Sequence, residues 1–456
     1  MSAADITFRG AHLVLPTGIV AGDLSVVGGR IAEVGVVTRP VGEQVDARGL
    51  HLLPGAIDPQ VHFREPGKTY KEDLATGSAA AAVGGVTAFL EMPNTDPPTT
   101  TEALLADKIA RATDRATAHF GFFFGATPDN AATVAALDPT RVPGIKIFMG
   151  SSTGTLLVDE QAALEAHFAA ARVPIAVHAE DETRLKARVA AYAGQTDPAL
   201  HPIIRDEQAA LIATTRAVEL ARRHEKRLHV LHLSTAEEVE FLRGLPDEGW
   251  VTTETLPQYL WLDADAYATL GTRLQMNPPV RAKRHQAALW AGLLDGTIAC
   301  IATDHAPHTV AEKALPYGQA PSGMPGVELS LPLMLHAVQA GRCSLRHVVR
   351  WMCEGPADCY GLARKGRLLP GHDADLVLVD LKRSRRVEAA DVVSKAGWTP
   401  FEGWTLTGWP VMTVLAGRPV VREGALQAGI FGRRCASSTA PACTDVHPSI
   451  DPRHPA

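Results

Sequence analysis

Cysteine is scarce in this chain, and no two cysteines form a CxxC pair: Cys300, Cys343, Cys353, Cys359, Cys435 and Cys443 are scattered. That excludes a zinc knuckle and fits reduced thiols better than a disulfide framework. No apolar run reaches the roughly 18–20 residues that a membrane span needs. The opening Met1-Ser2-Ala3-Ala4-Asp5 has no basic-then-apolar leader, which speaks against secretion. A basic excess is also missing: 44 Lys+Arg stand against 50 Asp+Glu, for a formal charge of −6. Nucleic-acid binders usually show a basic domain or stripe. These absences predict a cytoplasmic protein that acts on a small molecule, with neither nucleic acid nor membrane as partner.

What is present is ample core. The 456 residues are 46% hydrophobic, enough for one large barrel plus a smaller unit. Residues 1–52 read as short strands (Ile6–Phe8, Ala11–Val14, Asp23–Val27, Arg30–Val34) with turns such as Gly28-Gly29. A similar texture returns over 366–426, in Asp375–Asp380, Leu406–Pro410 and Met412–Val421. The two ends are expected to pair as one small β-sandwich. Residues 427–456, rich in Ala, Ser, Thr and Pro, are expected to form a poorly ordered tail.

Residues 53–365 alternate apolar strands with helical stretches. Eight candidate strands are Leu53–Ile57, Val86–Met92, His119–Ala126, Ile145–Met149, Ile175–His178, Leu228–Leu233, Val251–Thr255 and Ile298–Thr303. Helical segments such as Lys71–Val83, Glu102–Thr117, Glu207–Glu225 and Ala282–Leu294 lie between them. Continuous apolar strands separated by helices indicate a parallel sheet buried on both faces. Eight such units predict an α/β fold with a closed (β/α)8 barrel, whose chemistry sits at the C-terminal strand ends.

The polar residues lie at those ends. Strand one runs into Asp58-Pro59-Gln60-Val61-His62-Phe63-Arg64, and strand two ends in Glu91-Met92-Pro93-Asn94. Strand five ends in His178-Ala179-Glu180-Asp181, strand six in His232-Leu233-Ser234-Thr235, and strand eight in Thr303-Asp304-His305. Lys146 lies inside Ile145-Lys146-Ile147-Phe148, where an unpaired charge is costly to bury. It is either paired with a carboxylate or converted into an anionic ligand. His62, His178, His232 and Asp304 together offer imidazole and carboxylate donors suited to Zn, Mn or Fe(II). A bound metal lowers the pKa of its water to about 7. His305 and His229 are read as packing or supporting residues. The Gly150–Gly154 loop with Ser152 lacks the features of a nucleophile elbow or a phosphate loop.

Motifs in order along nearly the whole chain carry a resemblance: HFREPG (62–67), MPNT (92–95), the strand-four lysine, VHAED (177–181), HLST (232–235), NPPVR (277–281), TDHAPH (303–308) and PSGMPGVE (321–328). In these the chain resembles the cyclic amidohydrolases, most closely the dihydroorotases. The resemblance implies a metal-dependent hydrolase of cyclic amides that interconverts N-carbamoyl-L-aspartate and L-dihydroorotate in pyrimidine biosynthesis. It implies a carbamate, formed with CO2 on Lys146, that bridges two divalent metals. His62 and Asp304 would serve the more buried metal, and His178 and His232 the more exposed one. A metal-bound hydroxide would attack the ring amide, with Asp304 as the catalytic acid–base. Arg64 would clamp a substrate carboxylate with Asn94 and His308, while Asn277 and the backbone of Pro321 to Gly323 would contact the ring. The other reading of Arg64 is an ion pair with Glu65 or Glu72. A homo-oligomer is also implied.

Two positions depart from the family pattern. His-x-His is expected at the end of strand one, but the first position is Gln60, whose neutral amide is a poorer ligand. Position 258 is Gln where relatives often have His. Gln60 keeps open an inactive, structural partner of aspartate transcarbamoylase. A hydantoinase- or allantoinase-like activity on another cyclic amide or ureide is the further alternative, and Arg64 favours a ring that bears a carboxylate.

Overall fold

The structure is a computed structural model that describes residues 5–152, 156–246 and 248–435. The sheet built from both chain ends has nine strands. Ile6–Leu15 pairs antiparallel with Gly18–Val27 and parallel with both Glu43–Asp46 and His51–Pro54. His51–Pro54 pairs antiparallel with Leu376–Arg386, which joins the two halves. Thr405–Leu415, Arg418–Arg422 and Ala425–Leu426 complete that edge. Alternate residues of these strands point inward, as a half-buried pleat dictates. Phe8, Leu13, Leu24, Val26, Leu52, Leu376 and Val414 thus form a core separate from the barrel's.

The barrel strands are Ala56–Val61, Val86–Glu91, His119–Phe122 continued by Phe124–Gly125, Ile145–Phe148, Ile175–His178, Leu228–Val230, Val251–Thr255 and Cys300–Ile301. Their pairings are parallel. A parallel bridge between Val61 and His305 closes the ring, with His62 N donating to His305 O at 2.8 Å. Asp58 reinforces the seam: its carboxylate accepts from Thr303 Oγ1 at 2.5 Å and Thr303 N at 3.1 Å. Helices such as Leu74–Val83, Glu207–His224, Arg284–Asp295 and Ser330–Gln339 cover the outside. Asp73 and Asp206 cap the first two of these with side-chain oxygens that satisfy otherwise unpaired amides. Asp181 accepts from Arg184 N at 2.8 Å and Thr235 from Glu238 N at 3.0 Å. The helices Glu182–Ala191 and Ala236–Arg243 therefore begin directly after a polar strand end.

Two sequence expectations need correction. The apolar run Leu53–Ile57 is not one strand: Leu53 and Pro54 belong to the terminal sheet, and the barrel strand starts at Ala56. Gly55 sits between them, where a Cβ would lie 2.1 Å from Thr87 Oγ1. The tail expected from residue 427 is docked over residues 427–435. Phe120 N donates to Arg433 O at 3.1 Å and Cys435 N to Phe120 O at 2.7 Å. Ile430 and Cys435 are buried. These bonds are backbone-made, so they leave no hydrophobic pattern to read. Residues 436–456 of that expectation, and 153–154 of the glycine-serine loop, lie outside the described residues.

Docking of this segment is testable at Gly432, where a Cβ would stand 1.9 Å from the Ala118 carbonyl oxygen. Gly432→Ala is expected to lower stability by about 1–3 kcal/mol, the usual cost of overpacking, in denaturant unfolding. An unchanged midpoint would show that the segment does not pack there.

Candidate active site

One cavity at the C-terminal strand ends is lined by Gln60, His62, Arg64, Asn94, Lys146, His178, His232, Asn277, Asp304 and Gly323. Eight barrel units separate these residues in the chain, and barrel closure brings them together. Three of them, Arg64 (φ 64°), His232 (φ 42°) and Asp304 (φ 47°), adopt left-handed backbone conformations. Such conformations cost of order 1–3 kcal/mol for non-glycine residues and concentrate at functional sites. At each, the chain turns sharply off its strand and aims the side chain over the barrel mouth.

His62 Nε2 lies 2.9 Å from Asp304 Oδ1, and its Nδ1 lies 2.7 Å from Asn94 Oδ1. His178 Nδ1 faces His232 Nε2 at 3.1 Å. Lys146 is fully buried, and its Nζ has no hydrogen-bond partner. The amine rests over the Phe148 ring at 4.6 Å. Burial pulls its pKa down to about 7, against the attraction of Asp304 and Glu254. The carboxylate-paired reading of Lys146 therefore fails. Burial also holds His62, His178 and His232 below the usual imidazole value. Imidazoles held neutral, beside an amine that is about half unprotonated near pH 7, suit metal ligation.

Gln60 Nε2 donates to Asp304 Oδ1 at 3.1 Å, while Gln60 Oε1 is buried without a partner. The amide therefore blocks one oxygen of Asp304 that an imidazole at this position would leave to a cation. Gln258 donates to Thr303 O at 2.8 Å and so supports the strand that ends in Asp304.

Cationic side chains gather around Arg64 and His308. Arg64 Nε donates to Pro307 O at 3.2 Å, and Nη2 lies 3.2 Å from His308 Nε2. Its alternative partners are engaged elsewhere: Glu65 with Arg115 at 2.8 Å, and Glu72 with Ser394 and the Lys395 amide. Burial lowers Arg64 to about 10. Lys71 Nζ donates to His308 Nδ1 at 2.9 Å, so His308 Nε2 carries its proton toward Ser322 O at 3.0 Å. Burial, then Arg64, Lys71 and Lys313, hold His308 far below its ordinary value. Burial, together with Arg64, also brings Lys313 down to about 7. Arg64 and Lys71, with one nearby carboxylate, Glu312 at 2.8 Å from Lys71, give this side of the site a positive balance that suits an anion.

Gly323 and Ser322 line the cavity, but Pro321 turns its carbonyl away to accept from Lys313 Nζ at 2.8 Å. Asn277 Oδ1 lies 2.9 Å from His201 Nε2. Lys71, Lys313 and His201 carried no motif signal, and their part shows only in three dimensions. Glu180, which sequence left without a role, is also placed: it grips Arg205 and lies 2.9 Å from His178 Nε2. That carboxylate orients the imidazole so that Nδ1 faces the cavity. His305 accepts from Gly326 N at 3.0 Å and Val327 N at 3.2 Å, a packing role as expected.

Residues 51–420 match the amidohydrolase family, and the chain belongs to that family. Among its relatives, a dihydroorotase of Methanothermobacter thermautotrophicus is 36% identical over 407 residues, covering 89% of this chain and 92% of its own. A dihydroorotase of Halobacterium salinarum is 38% identical over 414 residues, covering 87% and 95%. Among solved structures, the L-hydantoinase (dihydropyrimidinase) of Arthrobacter aurescens superposes with a TM-score of 0.91 at 32% identity, covering 95% of this chain and all (100%) of that one. The (β/α)8 architecture and hydrolysis of cyclic amides follow from this membership. No helix among the described residues is long and apolar enough to cross a membrane.

Gln60→His is expected to raise the divalent-metal content that survives dialysis, measured by elemental analysis. Unchanged content would mean that the amide at position 60 does not limit metal binding.

Proposed function

We propose that this protein is a metal-dependent dihydroorotase that interconverts N-carbamoyl-L-aspartate and L-dihydroorotate in cytoplasmic pyrimidine synthesis. The observation that carries this reading is the Arg64 guanidinium, buried in the cavity that Lys146 and the histidines also line. Among the described residues no carboxylate pairs with it. A ring that bears a carboxylate supplies the missing anion, whereas hydantoin and allantoin rings do not. The guanidinium fork grips a carboxylate through two parallel bonds.

The donor set fits a divalent metal such as zinc. His62 and Asp304 would hold one ion and His178 and His232 another, with Lys146 as a carbamate between them. The unpartnered Lys146 Nζ and His232 Nδ1, both buried, support this fit. Metal at this site supplies Lewis acidity and an acidified water.

The chain's own groups then divide the work. Asp304 takes a proton from the attacking water and returns it to the ring nitrogen as the amide bond breaks. Its Oδ1 is held in place by Gln60 and His62. Arg64 fixes the substrate carboxylate, and the Nε2–H of His308 turns toward the same wall. Asn94 steadies His62 from the other side. Ring closure uses the same groups in reverse. The structural-partner reading is disfavoured because every ligand position except Gln60 is retained and converges.

The test is turnover of L-dihydroorotate by the metal-loaded protein, beside hydantoin, allantoin and dihydrouracil. Hydrolysis of the neutral rings alone would refute the proposal. Arg64→Ala is expected to weaken use of dihydroorotate about 10- to 100-fold, since hydrogen bonds to charged groups contribute roughly 1.5–3 kcal/mol. Any neutral ring accepted should be unaffected, and equal losses on both would remove the clamp. Lys146→Ala is expected to abolish activity, with partial return on adding short carboxylic acids. Full activity without them would take Lys146 out of the reaction.

A further inference from the structure

The lumen beneath the active site holds a second polar group that the reaction above does not use. His229 of the sixth strand, Glu254 of the seventh and Cys300 of the eighth place ligand atoms within 4.8 Å of one another. All three are fully buried. Cys359, at the end of the helix Gly355–Cys359, adjoins both Cys300 and His229. That helix and Tyr360 plug the barrel floor, packing with Ile57, Leu90, Phe123 and Ala176.

A plain hydrogen-bonded cluster explains only part of this group. His229 Nδ1 meets Thr252 Oγ1 at 2.8 Å, and Nε2 meets Glu254 Oε2 at 3.1 Å. Glu254 Oε1 is left buried without a partner. A buried carboxylate oxygen with nothing to satisfy it costs of order 1–3 kcal/mol. Two thiols beside it cannot offset that cost, because S–H is a weak donor. A cation satisfies the carboxylate and both sulfurs together.

We propose that the barrel floor is a second metal site, in which His229, Glu254, Cys300 and Cys359 hold one thiophilic divalent ion of the zinc type. His229, Glu254 and Cys300 are the donors already within 4.8 Å of one another; with Cys359 drawn in as the fourth, no position stays open, which is the pattern of structural zinc rather than catalytic zinc. Thiolate donors select against magnesium, calcium and manganese. Binding releases the Cys300 thiol proton and one proton from His229, which, against burial, its bonds to Cys359 and Glu254 raise to about 9, and makes no other covalent change. The ion would tie three adjacent strands to the floor helix. None of its donors lines the active-site cavity; Glu254 reaches Lys146 only through its charge, so the test reads sulfur ligation and not activity.

X-ray absorption at the zinc edge on the full-length, zinc-loaded protein tests this directly. The upper cavity presents only nitrogen and oxygen donors, so a sulfur shell near 2.3 Å reports the floor. Two sulfurs per floor ion are expected. Cys300→Ser and Cys359→Ser should each remove one, and the double variant should lose one equivalent of metal by elemental analysis. Should the double variant fail to fold, the wild-type and single-variant spectra still decide. A wild-type spectrum fitted by nitrogen and oxygen alone overturns the proposal, as does a sulfur shell unchanged in both single variants.

Discussion

A lysine amine buried without a partner is the constraint around which this structure is arranged. Lys146 Nζ is enclosed by the barrel and has no hydrogen-bond acceptor. A charged ammonium in that position would cost several kcal/mol after relaxation, and burial accordingly brings the group down to about 7. On the proposed reading, the unprotonated fraction of this amine takes up CO2, and the anionic carbamate would share cations held by His62, His178, His232 and Asp304. The lowered imidazoles and the strained strand ends fit that conversion.

The barrel supplies the precision. Strand ends fix Cα positions, and left-handed turns at Arg64, His232 and Asp304 re-aim the side chains across the mouth. A further layer holds those side chains still: Asn94 on His62, Glu180 on His178, and Lys71 on His308. The first of these leaves His62 Nε2 to face Asp304, and the last leaves His308 Nε2 to face the Ser322 carbonyl. On the proposed reading, Arg64 holds the substrate carboxylate while the ligand cluster holds the scissile amide, two separate points in one cavity. Two-point holding of this kind converts binding into orientation.

Much of this was legible in the sequence because strand-end chemistry has a linear signature. Ile145–Phe148 and Ile175–His178 are short apolar runs that carry their polar residue at a fixed offset, and both fold as read. Leu53–Ile57 misled because apolar character continues through Gly55, while the hydrogen-bonding partner changes from the terminal sheet to the barrel. Residues 427–435 misled because backbone bonds to Phe120 dock them, and those leave no periodicity. Glu180 and Lys71 were opaque for a related reason: their partners, Arg205 and His308, are distant in the chain. Gln60 was visible as a departure, but its bond to Asp304 was not.

Carbon-13 NMR of the metal-loaded protein equilibrated with labelled bicarbonate tests the central claim most directly. A protected carbamate resonance, present in the native chain and lost when residue 146 cannot be carboxylated, is the predicted result. A native spectrum that shows only bicarbonate and dissolved CO2, from protein that nonetheless turns over dihydroorotate, would contradict the account.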